Sequence, residues 1–334
     1  MKHLLIAYAT NKGVNMMTER DAQQLTHVNL AFGVIQDGLL SLEKLTVLNE
    51  LPRLRAYNPQ LRIVLSVGGW GAGGFSNMAS TPQGRDAFCA SVEKALDTYK
   101  LDGIDIDWEY PCSDAAGIDC SPHDRENFTY LMQRLRKVAG ERIVSIAAGA
   151  GDYFTRDTQM DLVAQACDYV QLMTYDMRSG FSYEAGHHTA LDASQGDNEG
   201  MTVKRTVDLF HQAGVPYNKL VIGAAFYSRR WEGVPNVNNG LLQQAQTGGL
   251  FGPGYTELVE SYINKNGWQH HWDEAAKASY LYNGSELISY DDPASVKAKC
   301  DYLRSKGLLG IMYWEHSCDP SRALLTALHE ALYA

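Results

Sequence analysis

Leu101-Asp102-Gly103-Ile104-Asp105-Ile106-Asp107-Trp108-Glu109-Tyr110 alternates apolar and acidic side chains from Ile104 to Glu109. Side chains along a strand point to opposite faces in turn, so Asp105, Asp107 and Glu109 share one face and Ile104, Ile106 and Trp108 share the other. A calcium loop would need a hinge glycine inside the run, and a solvated edge strand would not need so apolar a second face. The stretch therefore reads as a buried strand whose acidic face points into a closed barrel. Clustered carboxylates repel one another and lose hydration, which raises at least one pKa and leaves a carboxylic acid able to donate a proton near neutral pH. Glu109 is the candidate, because it lies at the C-terminal end of the strand, where barrel enzymes carry their chemistry.

Working outward, short apolar runs rich in β-branched residues recur at 3–9, 27–34, 62–67, 103–108, 142–148, 169–173, 220–226 and 309–314. Between them lie segments with apolar residues three or four apart, for example 84–99, 124–138 and 202–213, which predict helices. Strands alternating with helices indicate a parallel sheet, and eight of them indicate an α/β fold of the (β/α)8 TIM barrel class. An open doubly wound sheet would usually show a glycine-rich dinucleotide turn after its first strand, and none follows Ala9. The spacing is regular up to Phe226 and then breaks. The segment 230–290 is rich in Gly, Asn and Tyr and reads as a small α+β insertion between strands seven and eight, leaving 1–229 and 291–334 for the catalytic barrel.

The chain has 334 residues with 45% hydrophobic and 20% charged, enough to bury a large core. Its 39 acidic against 29 basic residues give a net charge of -10, which argues against binding nucleic acid through phosphates. No apolar run approaches the roughly 18 residues that span a bilayer. The opening Met1 to Thr10 is too short in its apolar part for a secretory leader and reads as a first strand. The compartment is left open: cytoplasmic, or secreted with an export signal already removed. The six cysteines lack Cys-x-x-Cys spacing, and only Cys112 and Cys120, which bracket a short loop, suggest a disulfide. Asn127 and Asn283 head glycosylation sequons that matter only in a eukaryotic secretory route. His187-His188 are adjacent in the chain and so are poorly placed to share one ion; no metal and no cofactor are expected.

Two further strand ends converge on the acidic run. The third ends Ser66-Val67-Gly68-Gly69-Trp70, and the sixth ends Met173-Thr174-Tyr175-Asp176. With Asp102-x-x-Asp105-x-Asp107-x-Glu109, these motifs resemble glycoside hydrolase family 18, the chitinases and their relatives. The resemblance covers essentially the whole chain, including the insertion and a last strand ending Met312-Tyr313-Trp314-Glu315.

The resemblance implies cleavage of β-1,4 bonds in chitin or N-acetylglucosamine oligosaccharides, with retention and without an enzyme nucleophile. Glu109 would protonate the glycosidic oxygen while the substrate's own 2-acetamido carbonyl attacks the anomeric carbon, giving an oxazolinium ion; Glu109 would then activate water. Asp107 would orient the acetamido group, with Asp105 sharing its proton. Tyr175 would donate to the acetamido oxygen, Asp176 would contact the distorted sugar, and Trp314 would form the floor beneath it. Ser66 is expected to bond Asp105, and Asp102, on the opposite parity, to support the start of the strand.

Pyranose faces stack on aromatic planes, so Tyr8, Phe32, Trp70, Tyr110, Tyr227, Trp231 and Trp272 are cleft candidates, with Met173 and Gly69 beside them. A monomer is expected. An endo-β-N-acetylglucosaminidase acting on N-glycans is the nearest alternative, disfavoured because the insertion deepens the groove for a linear chain. A chitin-binding lectin is the alternative from another class, disfavoured because Glu109 is present.

Overall fold

Eight parallel strands close on themselves in the computed structural model, which describes residues 3–198 and 200–333; Met1 and Lys2, read above as the start of the chain, lie outside them. They are β1 (Leu4–Ala9), β2 (His27–Gln36), β3 (Arg62–Gly68), β4 (Gly103–Asp107), β5 (Ile143–Gly149), β6 (Tyr169–Met173), β7 (Leu220–Ala225) and β8 (Gly310–Trp314). Each pairs with its neighbour in sequence, and β1 closes the ring by pairing both with β8, Leu4 opposite Gly310, and with β2, Ile6 opposite His27. The order and the closure are those of the predicted TIM barrel.

Helices cover the outside where the 3.6-residue period places them. The helix predicted over 84–99 begins earlier, at Pro82, and runs to Thr98, because the Thr81 side chain accepts from Gly84 N and proline is well suited to the first helical turn. Helix Asp124–Ala139 buries Phe128, Leu131, Met132 and Leu135 on one face, with acids in its first turn and bases in its last, as the helix dipole favours. Ile104 and Ile106 of β4 are fully buried in this outer core, and Trp108, just beyond the strand, stacks on Phe75 at 5.2 Å.

A second, wholly antiparallel sheet follows β7. Its strands are Tyr227–Glu232, Leu250–Gly254, Gln269–Asp273, Ala278–Tyr282 and Glu286–Tyr290, with one helix, Tyr255–Ser261. The first strand starts at Tyr227, so the boundary expected at 230 falls inside it. Only Phe226 separates this strand from the end of β7.

Where the second sheet rejoins the barrel, Lys299 and Asp291 form a fully buried ion pair at 2.6 Å. Lys299 also donates to Thr189 Oγ1 at 2.6 Å, while Asp291 accepts from Ala225 N at 2.9 Å and Ser295 Oγ at 2.7 Å. This node joins β7, helix Pro293–Lys306 and the loop after β6. Removing one partner of a buried pair strands the other charge, so Lys299→Met should cost about 3–5 kcal/mol of unfolding free energy. Urea titration checks this; a loss below about 1 kcal/mol would show that the node contributes little.

Candidate active site

The site grows from one carboxylate inside the barrel. Asp105 is fully buried and accepts four hydrogen bonds: from Tyr8 Oη at 2.9 Å, Ser66 Oγ at 2.7 Å, Ser145 Oγ at 2.7 Å and Gln171 Nε2 at 2.9 Å. Asn29 donates to Gln171 Oε1 at 3.0 Å and so orients the amide. Burial pushes the Asp105 pKa up, and the four hydrogen bonds pull against it. Ser66 sits where expected, opposite Asp105 in the β3–β4 register. Asp102, at the outer start of the strand, accepts from Ile63 N at 2.8 Å and pairs with Arg55 and Arg62, which is the supporting part anticipated for it.

One pleat higher, Asp107 is buried and its Oδ1 has no hydrogen-bond partner among the described residues. Burial first, then the charges of Glu109 and Asp105, hold its pKa well above the usual carboxylate range. Glu109 follows just past the strand, partly buried at the barrel mouth. Burial pushes its pKa up to about 7, a hydrogen bond from Tyr110 works against the shift, and the Asp176 carboxylate adds to it. Asp176 behaves oppositely. Against the cost of burial, the hydrogen bonds and charge of the Arg229 guanidinium hold it well below the usual range. Arg229 grips it twice, Nε to Oδ1 at 2.7 Å and Nη2 to Oδ2 at 2.6 Å.

These acids open into a cleft of about 830 Å³. Tyr8, Phe32, Trp70, Tyr110, Met173, Tyr175, Tyr227 and Trp314 all line it together with Asp107, Glu109 and Asp176, while Asp105 lies beneath. Phe32 and Trp314 stack with centroids 5.4 Å apart and planes 18° apart, giving a flat apolar floor. Trp70 stands 55% exposed at the entrance, beside Phe181 at 6.3 Å. Tyr175, close under the cleft, places its hydroxyl 3.8 Å from Met312 Sδ.

Four expectations are corrected. Trp231 is fully buried in the second sheet's core, its Nε1 donating to Ser182 O at 2.8 Å, so it does not face the cleft. It shares strand parity with Tyr227 and Arg229, but by its position the loop after β6 has crossed over the sheet. Gly69 is not on the cleft wall; at φ 94° it leaves room for the Phe32 ring, which a Cβ there would meet at 2.8 Å. Cys112 and Cys120 are free thiols. The loop they bracket is instead closed by the buried Asp124, whose Oδ2 accepts from Cys112 N at 3.3 Å and Ser121 N at 2.8 Å. Trp272 likewise turns away from the cleft and donates to Glu274.

The sequence reading also missed Arg229, Phe181 and Phe251, all of which line the cleft. Arg229 had a signal, since it shares a strand face with Tyr227. Phe181 and Phe251 had none, being isolated aromatics in loop and edge positions.

The profile of Glycosyl hydrolases family 18 matches residues 4–319. The chain belongs to that family. Chitinase A1 of Niallia circulans is 35% identical over 308 residues, covering 84% of this chain and 44% of its own length. Chitotriosidase-1 of Mus musculus is 34% identical over 321 residues, 90% of this chain and 68% of its own length. The chain thus spans less than half of the first relative and about two thirds of the second. Among solved structures, a glycoside hydrolase family 18 N-acetylglucosaminidase from Paenibacillus barengoltzii superposes with a TM-score of 0.97 at 46% identity, over 98% of this chain and 99% of that one.

The charge arrangement in this family 18 site can be titrated directly. Carboxyl 13C shifts should show Glu109 losing its proton with a midpoint at about 7. In Asp176→Asn the midpoint should fall, because the negative charge that opposed ionisation is gone while the Arg229 cation stays. An unchanged midpoint would mean that Asp176 exerts no field on Glu109.

Proposed function

We propose that the chain hydrolyses β-1,4 linkages between N-acetylglucosamine units of chitin and its oligosaccharides, retaining the anomeric configuration by substrate assistance. The observation that carries this reading is the pairing of Glu109, protonated up to about pH 7, with a neighbouring buried carboxyl whose Oδ1 lacks a partner. A buried polar atom left without a partner is costly, and the N–H of a 2-acetamido group is of the kind that would satisfy it. Glu109 donates its proton to the glycosidic oxygen as the acetamido carbonyl closes on the anomeric carbon. The resulting carboxylate then takes a proton from the water that opens the oxazolinium ion, so one group serves both half-reactions. Asp107 orients the acetamido group and balances the positive charge that develops on it, with Asp105 beneath it sharing its proton. Tyr175 supports the acetamido oxygen, Asp176 holds the distorted ring, and Trp314 with Phe32 supports its apolar face. The two chitinase relatives support the same substrate class.

A second reading, stepwise release of single N-acetylglucosamine units, is favoured by one observation: the solved structure at 46% identity is described as an N-acetylglucosaminidase. Time-resolved mass spectrometry of N-acetylglucosamine oligomers of four to six sugars separates the two. Disaccharide as the main early product supports chitinase action, and monosaccharide from the first time point supports the second reading. Glu109→Gln should keep the fold and substrate binding while kcat falls by at least about 100-fold, since the proton donor is lost and its shape is kept. Retained turnover in that variant would sink the assignment of the acid.

A further inference from the structure

We propose that His188 is a positioning residue, which holds the backbone of Asp176 in a left-handed conformation and thereby aims the Asp176 carboxylate into the cleft. The inference rests on the reading of Asp176 as a group that contacts the sugar at the point of cleavage.

Asp176 has φ 55°, a region that an L-residue with a side chain occupies at a cost and that persists only where the surroundings enforce it. The enforcement is visible. His188 Nδ1 lies 3.3 Å from the backbone N of Asp176, and the His188 carbonyl accepts from Met177 N at 3.1 Å, so one residue ties down two successive amides of the bend. A backbone amide can only donate, so the ring nitrogen that faces it must accept, and the imidazole proton belongs on Nε2. The same Nδ1 stands 3.5 Å from Asp176 Oδ1. In the neutral ring that approach is held open by the amide; in an imidazolium, Nδ1 would donate to the carboxylate and release the amide.

The surroundings of the imidazole keep it neutral. It is fully buried, and burial lowers its pKa against the pull of the Asp176 carboxylate, with the Arg229 cation lowering it further and the more distant Asp291 raising it. Tyr227 packs against it with ring centroids 5.3 Å apart and planes at 61°. The His188 backbone is itself anchored from the second sheet, because its amide donates to Ser289 Oγ at 2.9 Å. His188 is therefore a link between the insertion and the catalytic bend, separate from the clamp that Arg229 places on the carboxylate.

The test combines kinetics with a measurement that needs no substrate. On a chromogenic N-acetylchitobiose glycoside, His188→Leu should lower kcat about tenfold or more while KM moves by less than about threefold, and His188→Gln, whose amide oxygen can accept, should stay within about threefold of wild type. In an Asp176→Asn background the Leu substitution should cost nothing further, since its effect runs through that side chain. A wild-type kcat in His188→Leu, or an equal loss in both backgrounds, overturns the proposal. In wild-type protein, imidazole 15N shifts near neutral pH should show an unprotonated Nδ1 for His188; a proton on Nδ1 overturns it even if the Leu variant fails to fold. Wild-type turnover reports separately on the substrate reading, and the tautomer decides the contact even if the wild type cleaves none of these glycosides.

Discussion

Everything in the barrel mouth stands on the burial of one carboxylate. Asp105 receives hydrogen bonds from β1, β3, β5 and β6 while sitting on β4, so five of eight strands converge on two oxygen atoms. A buried charge or acid without such partners would cost several kcal/mol, and here each oxygen has two donors. The arrangement has a geometric consequence. With Asp105 fixed, the pleat dictates that Asp107 stands one step above it and that Glu109, just past the strand, opens at the rim. Gly68, whose place could not hold a Cβ because Asp107 O would lie 1.9 Å away, lets β3 approach closely enough to keep this register.

The mouth then separates its acids by environment. Asp107 is pushed toward the protonated state by burial and the charges of Glu109 and Asp105, and Glu109 by burial and the Asp176 charge, whereas Asp176 is kept ionised by the Arg229 guanidinium. A donor and a permanently charged group can therefore coexist at one pH, which is the division of labour that two-carboxylate sites generally need.

Much of this was legible in the sequence because it is local. Alternation in 104–109 gives the inward face of the acids, β-branched runs give eight strands in the order observed, and the bond expected between Ser66 and Asp105 is present. What stayed hidden depends on partners far along the chain. Arg229 meets Asp176 across 53 positions; its parity with Tyr227 points it at the cleft but does not name its partner. Trp231 has the parity of a cleft residue and is nevertheless sealed, because a loop from a different strand passes over it. Two cysteines eight positions apart resemble a staple, yet the buried Asp124 closes the loop in their place.

The second sheet looks like an addition to a complete barrel, but its first strand supplies Arg229, which clamps Asp176 directly, and its last supplies Ser289, which holds the His188 amide behind it. In evolutionary and engineering terms the two parts are not interchangeable modules. A chimera that exchanged the insertion for that of a distant relative would inherit a foreign set of anchors for the sixth-strand bend. Recombination would therefore be tolerated only at junctions that carry the loop after β6 and the whole insertion together as one inherited block.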